Sequence, residues 1–285
     1  MKSIENFDLT NYNSYRIKSK CKRAYFPNTE EEVINFYKNI NSFVLLGSGH
    51  NVILSKDYYD TNFLIFNGNF QDYNIEAETG IVEAQAGITM LKLSELALEN
   101  GLSGLEIFYD IPSSLGGAVV MNAGASGEEI KDVLIKVRYL DLVDMQIKEI
   151  HKPDMGFEYR NSFFQRNTDK VILIVWLQLK PEEKSVIHDK MKLIKEQRWA
   201  KQPKTFPNAG SVFKRPKGYY VGAIIDELKL KGFTVGGAKI SEKHGGFIIN
   251  HNNAKGQDII DIIVEVKRQV KEKFNVDLEV EQRII

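Results

Sequence analysis

The chain contains a single cysteine, Cys21. No internal disulfide can therefore close and no multi-thiolate zinc site can form, which fits a reducing compartment. An excess of either charge is also missing, since Lys plus Arg and Asp plus Glu both number 38. That balance argues against a broad nucleic-acid surface, so any anion must be met by a local cluster. No stretch approaches the roughly 18 consecutive apolar residues of a spanning helix. Residues Met1 to Asp8 lack the apolar core of a secretory signal, and neither an internal repeat nor a low-complexity tract is present. These absences predict a cytoplasmic protein with no nucleic-acid partner, no membrane insertion and no metal centre.

What is present is ordinary globular composition, 43% hydrophobic over 285 residues, enough for one large or two modest domains. The N-terminal part reads as an extended segment through Tyr12, Tyr15, Ile17 and Tyr25-Phe26-Pro27. Thr29 followed by Glu30-Glu31-Glu32 is a helix N-cap with carboxylates favoured by the helix dipole. A strand over Phe43-Val44-Leu45-Leu46 leads into Gly47-Ser48-Gly49-His50-Asn51, after which Val52-Ile53-Leu54 resumes an apolar run. A dinucleotide fingerprint would need a third glycine where Val52 stands and a helix directly after the loop; a P-loop would need Gly-Lys-Ser/Thr. Two readings stay open for this loop: an anion-binding nest of backbone N–H groups, or a plain turn.

Short strands are expected over residues 63–66 and 81–86, and a helix through Leu91 to Leu98 ending at Asn100-Gly101. Residues 104–127 hold Ile111-Pro112, Gly116-Gly117-Ala118, Met121-Asn122-Ala123-Gly124 and Gly127 in a mostly apolar frame. Small residues there suit a backbone lying against a flat ligand or, equally, backbone packed on backbone. Strands follow at 137–142 and 171–179, the second reading as central, with Tyr159-Arg160-Asn161-Ser162-Phe163 between them. Composition changes near Lys180-Pro181, and a helix over 185–199 marks a break into a second part. That part holds Asn208-Ala209-Gly210-Ser211-Val212-Phe213-Lys214, a helix from Val221, a strand at 247–250 and a helical stripe from Ile259 to Phe274.

Taken in order, these motifs, with Gly236-Gly237-Ala238, Ser241-Glu242-Lys243-His244 and Leu278-Glu279-Val280-Glu281, resemble the UDP-N-acetylenolpyruvoylglucosamine reductases (MurB), in the short form that lacks an inserted tyrosine-bearing loop. The resemblance runs nearly end to end. It implies an α+β protein with an FAD-binding domain of the vanillyl-alcohol-oxidase (PCMH-like) type, built from two subdomains over residues 1–182. A linker helix and a smaller α/β substrate-binding domain would follow over 183–278, with the tail 279–285 returning to the active site.

The implied reaction is NADPH-dependent, FAD-mediated reduction of UDP-N-acetylglucosamine enolpyruvyl ether to UDP-N-acetylmuramate in peptidoglycan synthesis. Arg160, Ser211 and Glu281 are the implied catalytic residues: Arg160 and Glu281 attend the carboxylate of an enolate-like intermediate, and Ser211 delivers the proton. For FAD the resemblance implies Gly47, Ser48, Gly49, His50, Asn51, Ile111, Pro112, Gly116, Gly117, Ala118, Asn122 and Gly124; for the UDP substrate, Arg198, Lys214 and Asn208. The chain departs from the family pattern at three places. Lys18-Ser19 replaces a usual Gly-Gly, Asp110 and Ser113 replace common glycines, and His50 stands where serine is usual. Related flavoproteins attach FAD through a histidine in such a loop, so the alternative is another flavin oxidase or dehydrogenase of this fold with covalent FAD at His50.

Overall fold

The computed structural model describes all 285 residues. The chain divides into two compact units, the first made of residues 1–4, 24–48 and 62–197, the second of residues 5–23, 49–61 and 198–285.

In the first unit, α1 (Glu30–Asn39) starts where Thr29 was expected to cap it: the Thr29 hydroxyl accepts the Glu32 N–H at 3.2 Å. Strand Phe43–Leu46 lies parallel to the second half of Tyr58–Ile65, with Phe43 opposite Asn62 and Leu46 opposite Ile65. The main sheet has five antiparallel strands in the order Gln146–His151, Leu134–Asp141, Lys170–Gln178, Ile81–Gln85 and Tyr73–Glu76. Lys170–Gln178 is central, as its run of β-branched residues predicts.

Against this sheet pack α2 (Met90–Glu99), the short α3 (Leu115–Val120) and α4 (Phe163–Arg166), and α1 is tied to it by a two-point pair from Arg138 to Glu30, both contacts 3.0 Å. Phe36, Leu64, Phe70, Val82, Phe108, Val137 and Val175 lie in one continuous core. Two of these elements escape the sequence reading. Strand Gln146–His151 carries four polar side chains, Gln146, Lys148, Glu149 and His151, and exposes three of its six residues, so its apolar signal is weak. Helix α3 is only six residues long and half glycine and alanine.

The last helix of this unit, α5 (Lys184–Lys201), agrees with the expected 185–199, and residues up to 197 belong to the first unit. The helix packs on this unit: Ile187 and Met191 are buried, and Lys190 reaches Glu106 and Glu128 at 3.4 Å each.

In the second unit, strands Thr234–Val235, Ala238–Ile240 and Ile248–Asn250 form an antiparallel sheet covered by α7 (Gly256–Phe274), preceded in the chain by α6 (Val221–Glu227). The α7 stripe Ile259, Ile262, Ile263, Val266 and Val270 is buried, as the spacing predicts. Strand Arg283–Ile284 runs parallel to Val52–Ile53.

The N-terminal contribution to this unit corrects the extended reading of residues 10–17. Thr10–Tyr12 is a 3-10 turn. Next to it the buried Asn13 donates from Nδ2 to the carbonyls of Leu9 at 2.9 Å and Ile17 at 3.1 Å, while its Oδ1 accepts the Ile17 N–H at 2.9 Å. An asparagine side chain that closes on its own neighbours supplies the bonds an extended partner strand would have made. Ser14 N–H then donates to the Gly49 carbonyl at 3.0 Å.

Gly49 has φ +70°, and a Cβ there would lie 2.0 Å from the Tyr12 carbonyl oxygen. Gly68 has φ +75° with nothing within 4 Å. Gly68→Ala should therefore cost about 1 kcal/mol from backbone strain alone, and Gly49→Ala at least about 1 kcal/mol more. Denaturant unfolding of the two variants measures the difference, and equal losses would disprove the close approach at Gly49.

Candidate functional site

The serine turn of the second unit is gripped by its neighbours. The 279–281 segment runs antiparallel to 212–214: Phe213 and Val280 form a bridge, Glu281 N–H donates to the Val212 carbonyl at 2.8 Å, and Lys214 N–H donates to the Glu279 carbonyl at 2.9 Å. On the other side Ser211 bridges to Phe247, and Val212 N–H donates to the Gly246 carbonyl at 3.0 Å. Gly210, at φ +80°, bends the chain just before the serine. Ser211 is itself exposed, and its hydroxyl makes no hydrogen bond with the chain. Two of the three expected catalytic residues, Ser211 and Glu281, are thus brought onto paired segments of one unit although 70 positions apart.

Among the expected substrate residues, Asn208 uses its side chain on the turn. Nδ2 donates to the carbonyls of Pro203 at 3.1 Å and Phe206 at 2.8 Å, and Oδ1 accepts the Gly210 N–H at 3.1 Å. Lys214 is paired with Glu279 at 2.5 Å. Arg198 lies near the end of α5, half-buried, its carbonyl accepting the Gln202 N–H at 2.8 Å.

The glycine loop combines a left-handed Gly49 with N–H groups from Gly47 to His50 that none of the backbone hydrogen bonds of the fold uses. Such successive unengaged N–H groups form the concave donor set that holds a phosphate. Asn51 faces the tail: its Nδ2 donates to the Glu281 carbonyl at 3.1 Å, and its own carbonyl accepts the Arg283 N–H at 2.9 Å. His50 is held by a contact of its Nδ1 with the Ser14 hydroxyl. Burial, followed by the nearby positive charges of Arg16 and Lys204, pushes its pKa down to about 4, so the ring is neutral at pH 7.

Arg160 belongs to the first unit. It occupies the left-handed position, φ +54°, of a tight turn closed by paired N–H to carbonyl bonds of 3.1 Å between Glu158 and Asn161. Its guanidinium donates to the carbonyl of Gly124 at 3.0 Å and, more weakly, to that of Asn122 at 3.4 Å, and it lies over the Tyr159 ring. Asn122, fully buried, supports the same turn, its Nδ2 donating to the Glu158 carbonyl at 3.0 Å and to Glu129 at 2.9 Å.

For the small-residue stretch the structure decides part of the open question. A Cβ on Gly116 would meet Ala86 at 3.0 Å, one on Gly124 the Glu128 carbonyl at 2.1 Å, and one on Gly47 the Ser114 hydroxyl at 2.6 Å. At Gly124 the packing of the chain itself requires glycine, and Gly116 and Gly47 lie close against their neighbours. The first N–H groups of α3 are likewise engaged, Leu115 with the Ile88 carbonyl, Gly116 with that of Ala86 and Gly117 with the Ser114 hydroxyl. Ala118 is buried, while Ile111 is half-buried and Pro112 exposed ahead of the helix.

The Ser113 hydroxyl is buried and has no hydrogen-bond partner. An orphaned hydroxyl here fits a polar group supplied by a cofactor such as FAD. Sequence reasoning took Ser113 only as a departure and gave Tyr15 and Gln282 no part in the site. Tyr15 is buried, and its hydroxyl donates to Gln282 Oε1 at 2.9 Å. No sequence signal links positions 267 apart.

Comparison with known proteins gives the family. Residues 202–285 match the family described as UDP-N-acetylenolpyruvoylglucosamine reductase, C-terminal domain, and residues 22–149 match an FAD binding domain. A UDP-N-acetylenolpyruvoylglucosamine reductase from Francisella tularensis is 42% identical over 99% of this chain and 99% of its own length. One from Petrotoga mobilis is 41% identical over 98% and 94%. Among solved structures, the reductase of that name from Thermus caldophilus covers 99% of this chain and 98% of its own, with a TM-score of 0.81 and 31% identity.

The neutral His50 has a measurable consequence. Between its ordinary value and about 4, the unfolded chain takes up a proton that the folded chain refuses, so His50 makes stability fall as pH drops through that window. His50→Gln should lose less stability than the parent between about pH 7 and about pH 4. Denaturant midpoints across that range test it, and identical pH slopes for the two proteins would refute the assignment.

Proposed function

This chain belongs to the UDP-N-acetylenolpyruvoylglucosamine reductase family, and from that premise we propose how its own residues carry the reaction. It is a flavin-dependent oxidoreductase of peptidoglycan synthesis with an FAD-binding domain. The substrate is UDP-N-acetylglucosamine enolpyruvyl ether and the reductant NADPH. Its place is the cytoplasm, in keeping with a lone, buried cysteine and with the absence of any helix long and apolar enough to cross a membrane.

FAD, when bound, relays a hydride from the nicotinamide to the methylene carbon of the enolpyruvyl group. The unused N–H groups of Gly47 to His50 would hold its pyrophosphate, and Asn51, Ile111, Pro112, Ser113 and Ala118 would be further residues that hold it. The glycines of the small-residue stretch serve by letting the chain fold close on itself, and Asn122 serves by holding the Arg160 turn. In this reading FAD is held without a covalent link, and the His50 Nδ1 contact with Ser14 serves the loop itself. Acid precipitation should release all the flavin, and flavin remaining on the precipitated chain would revive the His50-linked alternative.

Addition at the methylene leaves negative charge on the carbon beside the carboxylate. Arg160 stabilises that carboxylate with a guanidinium pre-oriented by two backbone carbonyls. Glu281 acts in a protonated or proton-sharing form, because a bare carboxylate would repel the enolate. Ser211 gives the proton. A serine hydroxyl is a weak acid, so it can serve only where a strongly basic carbon lies within hydrogen-bond reach; position matters more than acidity. The observation that carries the assignment is the combination at Ser211 of a backbone clamped on both sides and a hydroxyl the chain leaves uncommitted. Arg198 and Lys214 serve the diphosphate, Arg as a fork and Lys as a point charge, while Asn208 shapes the turn.

Anaerobic stopped-flow absorbance separates the two half-reactions. In Ser211→Ala, flavin reduction by NADPH should stay within about twofold of the parent, while reoxidation by the enolpyruvyl substrate slows by about 10²–10⁴-fold. Equal losses in both halves would contradict proton donation by Ser211.

A further inference from the structure

Three consecutive carbonyls at the serine turn converge on one side-chain amide. Gln282 Nε2 lies 3.0 Å from the oxygen of Ala209, 3.3 Å from that of Gly210 and 3.4 Å from that of Ser211. Successive carbonyls of a regular strand point in alternate directions, so three aimed at one nitrogen mark a curl, made by the positive φ of Gly210. Left alone, these dipoles would repel one another in a buried place and the turn would straighten. The two hydrogens of the amide offset that repulsion.

The amide is itself fixed. Gln282 is 4% exposed, and its Oε1 accepts from the hydroxyl of Tyr15, which is fully buried, so the amide can face the carbonyls in only one of its two orientations. Tyr15 is held in turn by its backbone: its carbonyl accepts from Asn250 Nδ2 at 2.8 Å, and Asn250 N–H donates to the Pro207 carbonyl at 2.9 Å. A circuit of hydrogen bonds therefore runs from Pro207 through Asn250, Tyr15 and Gln282 back to Ala209, Gly210 and Ser211.

We propose that Gln282 and Tyr15 are positioning residues for the reaction, holding the turn from Pro207 to Ser211 in the curl that presents the Ser211 hydroxyl. The inference rests on the role assigned to Ser211 above. Neither residue touches the reacting atoms. Gln282 follows Glu281 directly, and because successive side chains of an extended segment point to opposite sides, one short stretch of tail would supply both the carboxyl of Glu281 and the brace behind the serine.

The test uses the FAD-loaded enzyme and both half-reactions. Gln282→Leu should slow reoxidation by the enolpyruvyl substrate at least about tenfold, keep flavin reduction by NADPH within about twofold, and lower kcat with little change in KM. In a Ser211→Ala background the same change should cost no more than about twofold further, because it acts through the serine. Gln282→Glu supplies a pH signature. As a neutral acid it can still accept from Tyr15 and donate to a carbonyl, whereas ionised it faces three carbonyl oxygens. Its deficit relative to the parent should shrink from at least about tenfold near pH 8.5 to about threefold near pH 6.

If Gln282→Leu does not fold, Tyr15→Phe, which frees the amide to flip, should still slow reoxidation selectively by about threefold. Unchanged reoxidation in Tyr15→Phe and Gln282→Glu, equal loss in both half-reactions, or a deficit independent of pH overturns the inference. Fast reoxidation in Ser211→Ala would instead overturn the assignment of Ser211. A slow Ser211→Ala beside unaffected Gln282 variants would overturn the positioning role alone.

Discussion

The antiparallel pairing of residues 279–281 with 212–214 is the constraint on which the second unit depends. Two backbone bonds of 2.8 and 2.9 Å fasten the tail there, and beyond them Arg283–Ile284 continues as a parallel partner of Val52–Ile53, where the Ile285 carbonyl accepts from the Ser55 N–H and the Tyr59 hydroxyl. A chain end so tied cannot fray as an unpaired terminus would. Because the tail is fixed, Glu281 stands beside the serine segment, the Asn51 side chain finds the Glu281 carbonyl, and Gln282 reaches behind the turn.

A different device serves Arg160 in the first unit. A long cationic side chain on a surface turn would lose much of its value to conformational entropy. Here the left-handed turn, the Asn122 brace and the carbonyls of Asn122 and Gly124 restrict it, leaving a guanidinium with a set direction. Both units thus use the same principle at their chemical residues: polar groups of the backbone are gathered at one point and a side chain is oriented by them. Part of what reads as a ligand-shaped run of small residues is the requirement of that gathering, as the 2.1 Å approach at Gly124 makes plain.

Most elements were legible as local signals. The Thr29 cap, the end of α2 at Asn100, the central strand through Val171 to Leu177 and the buried stripe of α7 each follow from propensity and period, which neighbouring residues carry by themselves. The extended reading of residues 10–17 failed because Asn13 closes a loop with its own side chain, and strand Gln146–His151 went unseen because its polar composition masks its period. How α5 packs was not legible for another reason. Whether a helix packs backward or forward along the chain depends on which surfaces meet Ile187 and Met191, and no local pattern states that.

Read alone, the chain revealed most helices and strands, the family, and hence the flavin chemistry, and it marked Arg160, Ser211 and Glu281 as residues of interest, because ordered motifs are a property of the chain as written. Tertiary structure alone decided which of those residues share a segment pair, that the Asn208 and Asn122 side chains shape turns, and that Tyr15 and Gln282 meet across 267 positions. A hydrogen bond between buried side chains depends on distance and direction in space, and separation along the chain carries neither.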